Sequence, residues 1–241
     1  FDVAVYDPDP AVSKAAKRFI GKSLDELAAL SLVKDARASL ARVSIAADLA
    51  EAVKGAALVQ ENGPEVLDIK AQLFAEMDRL AGPDTILASS TSFIVASAFS
   101  KKLKGRSRCL VAHPVNPPHL VPIVELAPAP WTDGDVVARA RKIYEKAGQV
   151  PVELRKELPG FVLNRLQAVL LAEAFRIVGA GVCSPQDLDK TIKDGLGLRW
   201  SFMGPFETIE LNAPGGIPDY CQRYGPSLDR MSSEVIVKNP F

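Results

Sequence analysis

Between residues 1 and 113, short apolar, β-branched runs alternate five times with amphipathic segments across connections of a few residues. Parallel strands need a crossover between them, so this alternation dictates a parallel sheet with helices on both faces. The strands read at 1–7 (FDVAVYD), 42–48 (RVSIAAD), 56–61 (AALVQE), 84–90 (DTILASS) and 108–113 (RCLVAH). Between them lie an Ala/Lys/Leu-rich helix to about residue 32, with a break expected at Gly21, and shorter helices at 49–53, 65–81 and 96–103. Asp9 with Pro10, and again Asp48, stand where an N-cap and a first helical residue belong. The first run is apolar almost to its end and predicts a buried strand.

An amphipathic helix at 133–148 and a last strand at 149–155 follow, and from Pro159 the texture changes. Over 160–179 the apolar positions cover most of a helix circumference, which predicts a helix buried nearly all round. Further helical pieces with Gly/Pro breaks follow, and no strand pattern is convincing before Val235. The expected fold class is α/β: a Rossmann-type doubly wound, mostly parallel sheet over 1–158, then an all-helical second domain over 159–241.

Composition excludes more than it identifies. A formal net charge of zero favours neither nucleic acid nor an anionic membrane as partner. No apolar run reaches the ~18 residues of a membrane span. Three widely spaced cysteines, Cys109, Cys183 and Cys221, read as core thiols of a reducing, cytoplasmic setting, and no metal-ligand set is evident. The chain opens on Phe1 inside a strand pattern, so a targeting segment is not readable from it.

The chemistry-bearing positions begin with residues 109–126 (CLVAHPVNPPHLVPIVEL), two strands joined by a proline-stiffened loop. His113 leaves the first strand and Glu125 lies near the end of the second. Neighbouring strands run about 4.8 Å apart, close enough for the two side chains to meet. A carboxylate on one ring nitrogen fixes the tautomer and stabilises an imidazolium, as a proton-shuttling histidine requires; a structural histidine at a strand end is the other reading. Asp7 ends the first strand, where a dinucleotide fold places the acid that binds adenosine ribose hydroxyls and selects NAD over NADP; alternatively it only ends a strand. Its usual companion, a glycine loop ~20 residues upstream, would precede Phe1.

Ser92 closes the small-residue run 86–94 (ILASSTSFI) at the carboxyl edge of the sheet, as a substrate-hydroxyl ligand or as part of an ST-turn or N-cap. Glu65 opens a helix, where the dipole favours an acid, and Lys70 by default faces solvent. Asn164 and Arg165 are polar on an otherwise apolar helix, so the amide needs partners in the core or in a cleft. His119 reads as loop surface.

Together the strings HPVNPP (113–118), PIVEL (122–126), SSTS (89–92) and GFVLNRL (160–166) resemble the 3-hydroxyacyl-CoA dehydrogenase family. The segments 184–190 (SPQDLDK), 195–199 (GLGLR) and 204–212 (GPFETIELN) are most similar to its lambda-crystallin branch, whose members act as L-gulonate 3-dehydrogenases. The likeness runs from residue 1 to about residue 230. It implies an NAD-dependent oxidation of a 3-hydroxy acid, with His113 as base, Glu125 holding its ring, and Ser92 and Asn164 on the substrate oxygen. It also implies NAD contacts from Asp7, Glu65 and Lys70, and a homodimer formed through the second domain. The rivals are an L-3-hydroxyacyl-CoA substrate, a non-catalytic crystallin-like structural protein, and a sugar-acid binding module.

The family's first strand and glycine loop have no counterpart here, and residues 231–241 depart from its remaining helices, so the chain is expected to be a fragment of a longer protein. The phosphate-binding helix N-terminus goes with that loop. Alone, these 241 residues are expected to bind NAD poorly; micromolar binding in a calorimetric titration overturns that expectation.

Overall fold

The first three helices start where short acidic side chains fold back on the backbone. In the computed structural model, which describes residues 1–234, the Asp9 carboxylate accepts the Ala11 amide and opens helix α1 (Pro10–Ala29). Asp35 does the same for α2 (Ala36–Ala41) and Asp48 for α3 (Leu49–Val53). Helix α1 runs unbroken through Gly21. A Cβ there would come 3.2 Å from the Leu40 side chain, so the glycine serves the close approach of α1 to α2 rather than a break.

The strands form two sheets. Among the described residues β1 (Val3–Val5) pairs in parallel with β2 (Val43–Ile45) alone. β3 (Leu58–Glu61), β4 (Ile86–Ser89), β5 (Cys109–Pro114), β6 (Ile123–Pro128) and β7 (Val150–Glu153) form the second sheet in sequence order. Its pairs are parallel except β5–β6, where the chain returns antiparallel with His113 opposite Glu125. Helices α4 (Leu67–Leu80), α5 (Ala96–Ser100) and α6 (Gly134–Lys146) connect or cover these strands.

Period-two alternation divides the sheet into two cores. Leu87, Cys109, Val111 and Ala127 pack with Phe74, Met77, Phe99 and Phe161 on one face. Ile86, Ala88, Leu110, Ala112, Val124 and Leu126 pack with Val136 and Ala140 of α6 on the other. His113 and Glu125 continue the first set, which puts both side chains on the face of Phe161.

The chain divides after Val162 into two units. The described part of the second is helical: α7 (Leu163–Gly179), α8 (Pro185–Thr191), a π-turn at Ile192–Leu196, α9 (Gly197–Trp200), α10 (Pro205–Asn212) and α11 (Gly216–Glu234). The stretch from Val235 lies outside the described residues.

Three expectations are corrected. β1 is exposed or half-buried, because among the described residues its only paired strand is β2. No residue of α7 is buried; Leu166 and Val169 are 65% and 63% exposed. Apolar periodicity says which positions seek cover, not whether cover is present. Of the three free cysteines only Cys109 is a core residue; Cys183 is half-buried and Cys221 exposed. Among the described residues no helix is long and apolar enough to cross a membrane.

Phe74 is fully buried with its ring 4.3 Å from that of Phe99. Phe74→Ala is expected to lower stability by about 3–5 kcal/mol, read as a reduced denaturant midpoint at unchanged m-value.

Candidate active site

Strand register carries the first pair of side chains together. His113 and Glu125 are directly opposite on β5 and β6, and His113 Nδ1 lies 2.9 Å from Glu125 Oε2. With its proton on Nδ1 the ring donates to the carboxylate, which leaves the Nε2 lone pair as proton acceptor. Both residues are buried, at 5% and 1% exposure. A buried carboxylate needs donors on both oxygens. Glu125 Oε1 accepts the Val162 amide at 2.9 Å.

That amide is aimed by an unusual turn. Gly160 and Phe161 both have positive φ, +74° and +51°. Glycine tolerates the left-handed region; a bulky aromatic there is strained and must be held by its surroundings. Phe161 is fully buried, donates its amide to Leu158 O and packs its ring 5.3 Å from the His113 ring. The turn therefore presents one face of the imidazole with an apolar wall and its carboxylate with a backbone donor.

A second polar cluster closes the carboxyl ends of β3 and β4. Lys70 Nζ donates to Glu61 Oε1 and Oε2 at 3.0 and 3.1 Å and to Gly63 O at 3.3 Å. Ser89 Oγ and the Gly63 amide donate to the same Glu61 carboxylate. Lys70 is 1% exposed and Glu61 3%. The solvated reading of Lys70 is corrected: Lys70, Phe74 and Met77 form the buried stripe of α4, at i, i+4 and i+7. Glu61, like Asp7, is an acid at the end of an apolar strand, and that sequence signal marks it too.

Glu65 does not open a helix either. α4 begins at Leu67, and Glu65 turns toward the segment after β4. Its Oε1 accepts the Thr91 hydroxyl and the Phe93 and Ile94 amides, with Lys70 Nζ 3.7 Å from Oε2. Burial pushes the Glu65 carboxyl up, but the Thr91 and Phe93 hydrogen bonds, the Lys70 charge and the Ile94 amide outweigh it and hold it below the ordinary carboxylate value. Thr91 also accepts the Phe93 and Ile94 amides, so Thr91 supplies the hydroxyl of this turn. Ser92 is half-buried at its apex.

The remaining positions lie elsewhere. Asp7 follows β1 and accepts the Asp9 amide through Oδ1 at 2.9 Å. Asn164 is half-buried near the start of α7, in the second unit, and Arg165 beside it is exposed. His119 is not open loop surface: its Nε2 lies 3.8 Å from Glu26 Oε2 of α1. Among the described residues no group of three His, Cys, Asp or Glu side chains is placed to hold a metal ion.

The family model described as 3-hydroxyacyl-CoA dehydrogenase, NAD binding domain, matches residues 1–158, and that for the C-terminal domain of the same family matches residues 160–238. Lambda-crystallin of Oryctolagus cuniculus is 42% identical over 234 residues, 96% of this chain and 73% of that protein. L-carnitine dehydrogenase of a Pseudomonas species is 37% identical over 228 residues, covering 94% and 70%. Among solved structures, the NAD+-dependent dismutase 5-formyl-3-hydroxy-2-methylpyridine 4-carboxylic acid 5-dehydrogenase superposes with a TM-score of 0.82 at 29% identity, over 98% of this chain and 74% of that one.

The Glu65 turn is expected to be acid-resistant. Because its folded pKa is depressed, its stabilisation is present above the unfolded value and lost only as pH falls through the lower folded one. Hydrogen exchange at the Phe93 and Ile94 amides should stay protected through the usual glutamate range and open below it. Glu65→Gln should remove that pH step.

Proposed function

Because the chain belongs to the 3-hydroxyacyl-CoA dehydrogenase family, NAD-dependent oxidoreductases acting on CH–OH, we propose that it oxidises a secondary alcohol β to a carboxylate, a 3-hydroxy acid of the L-gulonate kind, with His113 as general base. The observation that carries this reading is the buried 2.9 Å contact of Nδ1 with Glu125. It leaves Nε2 to take the hydroxyl proton, while Glu125 holds the ring and offsets the charge of the imidazolium. Ser92 and Asn164 bind the substrate oxygen and orient its carbon. The name of the L-carnitine relative supports a free acid, since carnitine itself carries a hydroxyl β to a carboxylate.

NAD, when bound, supplies the acceptor for the hydride that leaves the alcohol carbon. The residues present fit its adenosine end. Asp7 offers a half-buried carboxylate at the carboxyl end of a parallel strand, just before a helix start, where a ribose diol finds an acceptor and a 2′-phosphate is repelled. Glu65 adds a second carboxylate at the turn carrying Ser92, and Lys70 acts there from beneath through its charge on Glu65.

Apolar residues exposed on α7, Leu166, Val169 and Phe175 among them, support a homodimer formed through the helical unit. The free thiols fit a cytoplasmic setting.

In the complete protein, His113→Gln is expected to abolish turnover while leaving NAD affinity within about twofold. Retained kcat removes His113 from the mechanism. Parallel assays with L-gulonate and acetoacetyl-CoA, followed at the nicotinamide absorbance, separate the free-acid substrate from the thioester.

A further inference from the structure

Helix α1 carries a feature that the dehydrogenase reading does not use. A groove of about 630 Å³ runs along it, lined by Lys14, Lys17, Arg18, Gly21, Lys22 and Asp25 of the helix and by Leu40 and Ile45 of α2 and β2. That volume is in the small-molecule range. Four cations face one carboxylate in a chain whose formal net charge is zero. Among the described residues, Lys14, Lys17 and Arg18 have no ion pair or side-chain hydrogen bond, and Lys22 has only Glu26, 4.0 Å away.

The placement of these charges is unfavourable for the helix itself. Lys14, Arg18 and Lys22 recur at i, i+4 and i+8, about 6 Å apart along the axis, and like charges at that spacing destabilise an isolated helix. An anion spanning the row would relieve the repulsion. Lysine binds phosphate as a point charge and arginine as a two-pronged donor, so the row suits successive phosphoryl groups. The far end is different: Asp25 repels phosphate and accepts from hydroxyl or amino groups, and Leu40 and Ile45 offer apolar surface to a ring.

We propose that this groove binds a small organic polyphosphate of the nucleoside di- or triphosphate class, phosphates along Lys14, Arg18 and Lys22, sugar and base toward Asp25, Leu40 and Ile45. The site is separate from the proposed dehydrogenase residues, since neither Asp7, Glu65, Lys70, His113 nor Glu125 lines it.

The test is calorimetric titration of the full chain at low ionic strength with ATP, inorganic tripolyphosphate, adenosine and a single-stranded oligonucleotide. One ATP is expected to bind, tripolyphosphate more weakly, and adenosine not at all, with affinity falling as salt rises. The double variant Lys14→Glu, Arg18→Glu should weaken ATP by about tenfold or more, and Asp7→Ala should leave it within about twofold. Should charge reversal disturb the helix, seen as lost ellipticity, the milder pair Lys17→Gln, Lys22→Gln carries the same expectation. Unchanged ATP affinity in the folded charge variants overturns the proposal. So does loss of ATP binding in Asp7→Ala, which would place the nucleotide at the dinucleotide end, and so does binding of the oligonucleotide alone. None of these outcomes depends on turnover, so they stand apart from the His113 test.

Discussion

A carboxylate taken out of water must find donors for both oxygens, and Glu125 finds them in two separate parts of the chain. One oxygen meets His113 across the antiparallel β5–β6 pair, and the other meets the Val162 amide, thirty-seven residues on. Removing the imidazole would take a donor from this buried carboxylate, which in comparable settings costs about 3–5 kcal/mol. The same residue thus holds the strand register, the imidazole orientation and the strained Gly160–Phe161 turn in one arrangement. The turn's left-handed aromatic is tolerated because its ring is fully enclosed against His113 and its neighbouring amide is spoken for.

The end of β3 follows the same physics with a different pair. Glu61 is enclosed among Lys70, Ser89 and the Gly63 amide, so two full charges sit in the interior with nearly every hydrogen-bonding direction filled. Such a pair adds little net stability over an apolar replacement, but it is directional. It fixes the Gly63 loop and the base of α4, and so places Glu65 where it can gather the Thr91, Phe93 and Ile94 donors. The turn that carries Ser92 is therefore held by the charges beneath it together with its own Thr91 hydroxyl.

Where the apolar pattern lacks a covering neighbour, the outcome is exposure. Among the described residues β1 has only β2 as a paired strand, and α7 keeps Leu166 and Val169 in contact with solvent. A helix apolar on most of its circumference reports a demand for burial, and that demand is met by whatever lies alongside. The basic groove of α1 makes the converse point: like charges at helical spacing report a surface that the described residues leave largely uncompensated.

Much of this protein was legible in the chain before any coordinates. The alternation of strands and helices, the Asp9 and Asp48 caps and the facing of His113 and Glu125 all follow from interactions within a few residues, or across one hairpin whose register alternation dictates. The fate of Lys70 was not legible in the same way, since the spacing that puts it in line with Phe74 and Met77 suits a solvated lysine until Glu61 arrives from another strand to neutralise it. Glu65 serving a turn twenty-six residues away, Phe161 walling the imidazole and the bare flank of α7 were likewise decided by tertiary structure. Backbone geometry imposes periods of two and 3.6 locally, whereas burial and charge pairing depend on which distant segments arrive beside a residue.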